Sequence, residues 1–474
     1  MNVLSSENAT DLRATFETMR TAYTQDTNPS YVVRKGRLDR LEQAVEAYAD
    51  RLVAAMQADF SHRSAAECNS YDVTLPIGEI RSAKRHLRGW MRRRRVGVPK
   101  HMLPARARLV PQPLGVVGVI SPWNFPVYLA IGPLAAALAA GNRAMVKPSE
   151  LTPRTSDAVA EMIAAHFAED EVAVVNGGPI VAAAFADLPF DHLLFTGSTA
   201  IGRKVAQAAA ANLTPVTLEL GGKSPAIVTP SADLELAAKR IAFGKCTNAG
   251  QICTSPDYAL VPRNKVDAFV EKLTTAMQTF YPDFGGGEDY SAIISDRHVE
   301  RLTAMVEEAE AAGAKVVRLP MGQDPGDVRK IAPTVVIDPS TDLRLMQEEI
   351  FGPILPVIPY DTHADALAFV AERDRPLALY VFADSTYDRD LWLEKSISGG
   401  VAVNETLFHV ACDTLPFGGV GASGIGAYHG DAGFETFSHM KPVFIQPKLN
   451  GAFLFDPPMT ELKQRFARVL RKII

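Results

Sequence analysis

Between Gly115 and Leu220, short runs rich in β-branched residues alternate with alanine-rich segments of helical length, and no other feature restricts the fold as tightly. Gly115 to Ile120 and Ala144 to Lys147 read as strands, Pro126 to Ala140 and Ser156 to Phe167 as helices. Val172 to Val175, Ile180 to Ala186, His192 to Thr196, a helix from about Ala200 to Ala211, and Val216 to Leu220 continue the series. Strands separated by helices imply a parallel sheet with right-handed crossovers. A second alternation begins near Ser224: helices over Leu234 to Phe243, Val266 to Phe280 and His298 to Ala312, and strands at Tyr258 to Val261, Leu377 to Phe382 and Gly400 to Asn404. The expected class is therefore α/β with two doubly wound parallel-sheet domains, and 474 residues are enough for two or three cores.

Ahead of this region, Arg37 to Phe60 and Leu75 to Met91 read as helices, and the second runs into Arg92-Arg93-Arg94-Arg95. A solvated helix end suits these arginines better than an anion-binding surface, since cations complement the helix dipole there. The loop Asp283-Phe284-Gly285-Gly286-Gly287-Glu288 reads as a flexible surface connector, because no strand leads into it. With a net charge of -5 there is no reason to expect nucleic acid as a partner. Four cysteines without C-x-x-C spacing suggest neither a disulfide framework nor a structural zinc site, and a reducing, cytoplasmic compartment is expected. Met1 to Thr10 has no apolar core for a secretory signal, and the longest apolar run, Pro126 to Ala140, falls short of the roughly 20 residues a bilayer span needs.

Chemistry concentrates in a few strand ends and turns. Cys253 follows Asn248-Ala249-Gly250-Gln251-Ile252, a small-residue turn that lets a substrate approach the sulfur. Leu218-Glu219-Leu220-Gly221-Gly222-Lys223 places a carboxylate able to move protons at the end of a strand. Ser121-Pro122-Trp123-Asn124-Phe125-Pro126 fixes an asparagine between two prolines, where its amide can face a developing oxyanion or simply bond its own backbone. Phe195 to Gly202 follows a strand and opens a helix, the place where backbone N–H groups and the helix dipole hold a pyrophosphate. Thr199 stands where the dinucleotide fingerprint has its second glycine, so this pattern alone leaves nucleotide binding open. Lys147 and Glu150, also at a strand end, form a pair suited to ribose hydroxyls or to an ordinary surface.

Taken in order, Pro122-Trp123-Asn124-Phe125-Pro126, Lys147-Pro148-Ser149-Glu150, Phe195-Thr196-Gly197-Ser198, Leu218 to Pro225, Gly250-Gln251-Ile252-Cys253, Glu348-Glu349-Ile350-Phe351-Gly352-Pro353 and Pro416-Phe417-Gly418-Gly419 resemble the aldehyde dehydrogenase superfamily over about 300 residues. Further stretches resemble its class 3 branch and, within that, the bacterial coniferyl aldehyde dehydrogenases: Cys253 to Tyr258, Asp289-Tyr290, Arg297-His298, Leu377 to Tyr380, Leu407 to Val410 and Tyr428-His429-Gly430. The resemblance implies an NAD-binding Rossmann-like domain over 1–95 and 112–220, a catalytic domain over 221–425, and a small oligomerisation element with the tail over 96–111 and 426–474. It implies Cys253 as nucleophile, Glu219 as general base, and Asn124 with the Cys253 N–H as oxyanion donors. Trp123, Lys147, Glu150, Gly197, Ser198, Gly202, Glu349 and Phe351 would hold the cofactor. One position departs from the family pattern: Cys246 replaces the usual aromatic or aliphatic residue, and reads as core.

The implied cofactor is NAD, with NADP possible; Glu150 at the adenosine ribose would disfavour a 2′-phosphate. The implied reaction takes an aldehyde, aromatic such as coniferyl aldehyde or medium-chain aliphatic, to the acid, with Phe125, Leu407, Val410 and Phe417 lining a substrate funnel. A coenzyme A-acylating enzyme and a catalytically idle relative are the competing readings. No metal site and no transmembrane segment are expected. A homodimer is implied, through Val96 to Pro111 and a strand from Phe434. The tail Glu461 to Ile474 sets Leu462, Phe466, Val469 and Leu470 on one face of a basic helix, for packing on its own domain or a partner in preference to a membrane.

Overall fold

The computed structural model describes residues 6–471, the first five of these by their backbone only. Met1 to Ser5 of the polar opening stretch and the last three residues of the tail lie outside the described residues. Two α/β sheets and one small antiparallel sheet organise the rest.

The first sheet has the order Gly424–Ile425, Val216–Leu220, His192–Gly197, Val116–Ile120, Arg143–Lys147, Val172–Val174, parallel except for the first pair. All five residues of Val116–Ile120 are buried, as a central parallel strand covered on both faces requires. The chain leaves this strand to one side first and later returns to the other, so the turns after Val116–Ile120 and His192–Gly197 flank a topological switch point, where α/β sheets open a crevice. Long N-terminal helices, Tyr31–Asp59 and Leu75–Trp90, cover one face of this sheet with apolar side chains such as Leu38, Leu41, Ile80 and Leu87. The other face packs on Phe16, Phe185 and Val205.

The second sheet runs Lys315–Arg318, Thr334–Ile337, Ile354–Tyr360, Tyr258–Pro262, Pro225–Val228, Ala378–Phe382, Gly400–Val403, antiparallel only at its first pair. Helices Leu234–Cys246, Val266–Phe280 and Asp296–Ala311 cover one face, while Trp392 and Tyr360 anchor the other. Strand Ile354–Tyr360 escaped the sequence analysis because Pro356 and Pro359 each remove a ladder N–H and read as breakers, yet it keeps both neighbours through its other residues. The third sheet pairs Arg94–Val96 with Arg106–Pro113, and that strand with Ser438–Ile445.

Three expectations are corrected. The arginine run does not finish a helix: Leu75–Trp90 ends before it, and Arg94 and Arg95 belong to a strand, Arg94 pairing with Glu435. Phe434 sits in the helix Gly430–Thr436, where its fully buried ring packs on Trp90, and the strand begins at Ser438. The Asp283 to Glu288 loop is organised, since Asp283 accepts from the N–H groups of Gly286 and Gln323, and Lys330 donates to the carbonyls of Gly285 and Gly287. The tail helix Glu461–Leu470 has no buried residue, and its Phe466 ring packs edge-on against Phe455 of the same tail. No helix among the described residues is long and apolar enough to cross a membrane.

Candidate active site

A cleft of about 1120 Å³ opens between the two large sheets at their strand ends. Asn124, Glu219 and Cys253 all line it, together with Trp123, Gly197, Ser198, Glu349 and Phe351. Each arrives from a different turn, and the turns explain how.

Cys253 follows three consecutive residues in the left-handed region, Asn248, Ala249 and Gly250, at φ 48°, 50° and 73°. Two of these carry side chains, at a cost of roughly 1–2 kcal/mol each, so surrounding bonds must impose the turn. The Asn248 amide donates to the carbonyls of Asn124 (3.2 Å) and Gln251 (3.3 Å), and the Gln251 side chain donates to Asn248 O and Ala292 O while accepting from Ile294 N–H. Glycine is required at 250, because a Cβ would stand 2.4 Å from the Gly352 carbonyl. The resulting loop leaves the sulfur half-buried in the cleft wall.

Asn124 is 3% exposed, and its Nδ2 donates to Gln251 O at 3.1 Å instead of to its own backbone. One amide proton thereby ties the asparagine to the cysteine loop and the other remains for a ligand. Glu219, 2% exposed on the strand Val216–Leu220, has no hydrogen-bond partner on either oxygen. Burial alone holds its carboxyl well above the usual range. Glu349 is raised to about 8 by burial and then by Asp257, against a backbone N–H of Gly222. It presses so close to the strand-end turn that a Cβ on Gly221 would lie 2.0 Å from its Oε2. The Cys253 thiol is pushed up to about 12 by burial, then by Glu349 and Glu219, although the N–H groups of Cys253 and Thr254 point at the sulfur.

On the far side of the cleft the helix Thr199–Ala211 starts at Ser198, with no side chain capping its first N–H groups. Thr196 Oγ1 and Glu349 Oε1 are buried without partners. Free helix-start donors and unpartnered oxygens across a cleft of this size fit a dinucleotide, the donors for its pyrophosphate and the oxygens for its hydroxyls. Trp123 forms an aromatic wall with Phe351 (5.3 Å) and His298 (5.4 Å). Lys147 and Glu150 form an ion pair at 3.1 Å, with the lysine buried and the glutamate exposed, next to the turn that carries Trp123 and Asn124, since the Ser121 N–H donates to the Lys147 carbonyl.

The four funnel residues separate into two groups. Phe125 and Leu407 join Tyr128, Leu129, Ile252, Tyr71 and Leu75 in an apolar cluster beside the cysteine loop. Val410 packs with Cys253 against the larger core, of which Phe417 is a buried member that stacks on His429. Cys246 is fully buried in the core, as expected, with its thiol pushed up by burial. Sequence reasoning missed His298 and Arg301 in the cleft, and a buried network in which Tyr128 donates to Glu79 (2.7 Å) beside His429. The position of His298 in the quoted Arg297-His298 pair was the only available signal; Glu79, Tyr128 and His429 come from distant segments that no local pattern joins.

Comparison with known proteins agrees. A family model described as "Aldehyde dehydrogenase family" matches residues 2–443. The chain is similar to a probable coniferyl aldehyde dehydrogenase of Pseudomonas aeruginosa, 47% identical over 454 residues that cover 96% of this chain and 95% of the relative. Among solved structures it is similar to Staphylococcus aureus AldH in a substrate-bound state, with TM-score 0.92 and 34% identity over 99% of this chain and all of that one. An indole-3-acetaldehyde dehydrogenase complexed with NAD+ superposes with TM-score 0.83 at 26% identity, over 93% of this chain and 89% of that one.

Proposed function

From the premise that this chain belongs to the aldehyde dehydrogenase family, we propose that Cys253, Glu219 and Asn124 carry its reaction and that an aromatic, cinnamyl-type aldehyde such as coniferyl aldehyde is its substrate. The chain oxidises an aldehyde to the carboxylic acid with NAD. The observation that carries the assignment of roles is the convergence of one thiol, one unpartnered buried carboxyl and one free amide proton on a single cleft.

Once its thiol proton has passed to water, Cys253 Sγ bonds as a thiolate to the aldehyde carbon, and the carbonyl oxygen takes the negative charge. Asn124 Nδ2 and the Cys253 N–H hold that oxyanion; a donor of this kind contributes roughly 3–4 kcal/mol in a water-excluded site. When bound beside Cys253 by the cleft residues named below, NAD would supply the acceptor for the hydride lost from the carbon. The acyl group then remains on Cys253 as a thioester. Glu219 takes a proton from water, the hydroxide cleaves the thioester, and acid and thiol are released. An acceptor carboxyl beside the thioester favours water over coenzyme A. The helix start at Ser198, framed by Gly197 and Gly202, would hold the pyrophosphate, Lys147 and Glu150 the adenosine ribose, and Glu349, Phe351 and Trp123 the nicotinamide side.

The apolar cluster of Phe125, Tyr128, Ile252 and Leu407 beside the cysteine loop favours a flat aromatic substrate. Four free cysteines suit a reducing compartment, and a cytoplasmic homodimer is part of the proposal. So is the division into an NAD-binding unit (1–95 and 112–220), a catalytic unit (221–425) and bridging segments (96–111 and 426–474). NADH formation with coniferyl, benzyl and fatty aldehydes, in wild type and Cys253→Ala, tests the reading. Turnover should vanish in the variant and be most efficient on the cinnamyl aldehyde; a fully active variant refutes the roles, and a preference for fatty aldehydes refutes the substrate.

A further inference from the structure

Between the first two long helices and the active site lies a short stretch that takes no part in the chemistry above. Residues Ala65–Glu67 form one α-helical turn, and Cys68–Thr74 continue as a π-wound turn, a form that widens the backbone to re-aim side chains. Two of its carboxylates point in different directions, and each meets the backbone of a different catalytic loop.

Glu67 accepts the N–H of Asn248 with both oxygens, at 3.0 and 3.1 Å, and the hydroxyl of Ser291 at 2.9 Å. Asn248 is the first of the three left-handed residues that lead to Cys253. Asp72 accepts the N–H groups of Val127 (3.1 Å) and Tyr128 (3.2 Å), which open the helix immediately after Asn124. Its second oxygen pairs with Arg63 at 2.9 Å, with both side chains fully buried. Arg63 in turn lies over the ring of Phe125 at 5.2 Å. The Asn124 and Cys253 loops are otherwise joined by bonds of Asn124 and Asn248, so the distance between the oxyanion donor and the sulfur depends on how each loop is held from behind.

We propose that the turn Ala65–Thr74 is a positioning element for catalysis, in which Glu67 holds the left-handed turn that aims Cys253 and Asp72 holds the loop that aims Asn124. This rests on the roles given to Cys253 and Asn124 above. A thiol whose approach to the carbonyl depends on a strained turn loses rate steeply when the turn relaxes: displacement by about 1 Å costs on the order of 100-fold in rate. Neither Glu67 nor Asp72 lines the cleft, so neither touches substrate or cofactor.

The test uses the full-length enzyme with Glu67→Ala, Glu67→Gln and Ser291→Ala. Four quantities are read: kcat for aldehyde oxidation, the rate of Cys253 alkylation by iodoacetamide, NAD affinity from Trp123 quenching, and the unfolding temperature. Glu67→Ala should lower kcat and the alkylation rate together, by roughly 10- to 100-fold, with NAD affinity within about twofold. Glu67→Gln should recover part of both, since its amide oxygen still accepts from Asn248. Ser291→Ala, which keeps Glu67 in place but loosens it, should show the same pattern more weakly and serves as the reading if Glu67→Ala does not fold. The proposal is overturned if the variants keep wild-type kcat, or if kcat, NAD affinity and unfolding temperature fall in step, as a general loss of structure would produce. Failure of the nucleophile assignment would be distinguishable, because Cys253→Ala would then retain turnover whatever happens at Glu67.

Discussion

Replacing Glu349 by glutamine should make Cys253 more reactive in the cofactor-free enzyme, but only in alkaline solution. A free thiol ionises near 9 and this one near 12, so its thiolate is disfavoured by about 4 kcal/mol. Burial is the largest cause, and the Glu349 charge is the next. Glu349 itself ionises at about 8, so below that pH it is mostly neutral and its substitution changes no charge. Above it, the wild type carries a negative charge near the sulfur that the variant lacks. Two charges 4 Å apart interact by about 4 kcal/mol at an effective dielectric of 20, and at two to three times that distance by about 1–2 kcal/mol. The variant should therefore be alkylated about 5- to 30-fold faster at pH 10 and less than about twofold faster at pH 6.5. The assay is the rate of iodoacetamide labelling of the Cys253 peptide, resolved by mass spectrometry from the half-buried Cys412. Equal rates at pH 10, or a gain as large at pH 6.5, would refute the electrostatic account.

Glu219→Gln should spare thioester formation and block its hydrolysis, giving a burst of NADH equal to the enzyme concentration and then a steady rate down by about 10²- to 10⁴-fold; a loss of the burst would contradict the assignment. Asn124→Ala should lower kcat/KM by roughly 100-fold or more with NAD affinity unchanged, measured by steady-state kinetics and cofactor titration. His192, buried and bonded through Nε2 to Thr217 at 2.9 Å, is pushed down to about 4 by burial. Its contribution to stability is complete above the unfolded value near 6.5 and is lost as pH falls towards about 4, reaching about 2 kcal/mol by pH 5. Urea unfolding at pH 7.5 and pH 5 should show a smaller difference in His192→Gln than in wild type, and an equal difference would contradict it.

The strand and helix alternation was legible because each element is decided by its own residues: Val216–Leu220 and Val266–Phe280 occur where periodicity put them. The candidate site residues stood out for a different reason, since Cys253 and Asn124 each lie in a compact turn with its own residue requirements and Glu219 ends a strand just ahead of one. What pattern could not reach was support from a distance. Glu67 and Asp72 look like ordinary helix acids, and only the fold brings them behind residues 248 and 127. Ala249 gives no hint of a left-handed backbone, because the bonds that impose it come from other segments. Ile354–Tyr360 was hidden by its prolines, and the strand at Arg94–Val96 by a run of charge.

The three acids of the cleft also explain one another. Each is raised by burial; Glu349 and Glu219 raise Cys253 further, and Asp257 raises Glu349 further, whereas burial alone acts on Glu219. Burial thus disfavours the charged form of all three, the thiol of Cys253 and the carboxyls of Glu349 and Glu219 alike. A positive charge bound in the cleft would lower all three, and at the sulfur it would act together with donors already in place. Its anion alone already faces two N–H groups, those of Cys253 and Thr254, whereas Glu219 has no partner to stabilise its charge. With the roles proposed above, these surroundings imply an order: the sulfur already has donors for its charge, whereas the empty oxygens of Glu219 need water and the acyl group as polar partners before it serves as a base.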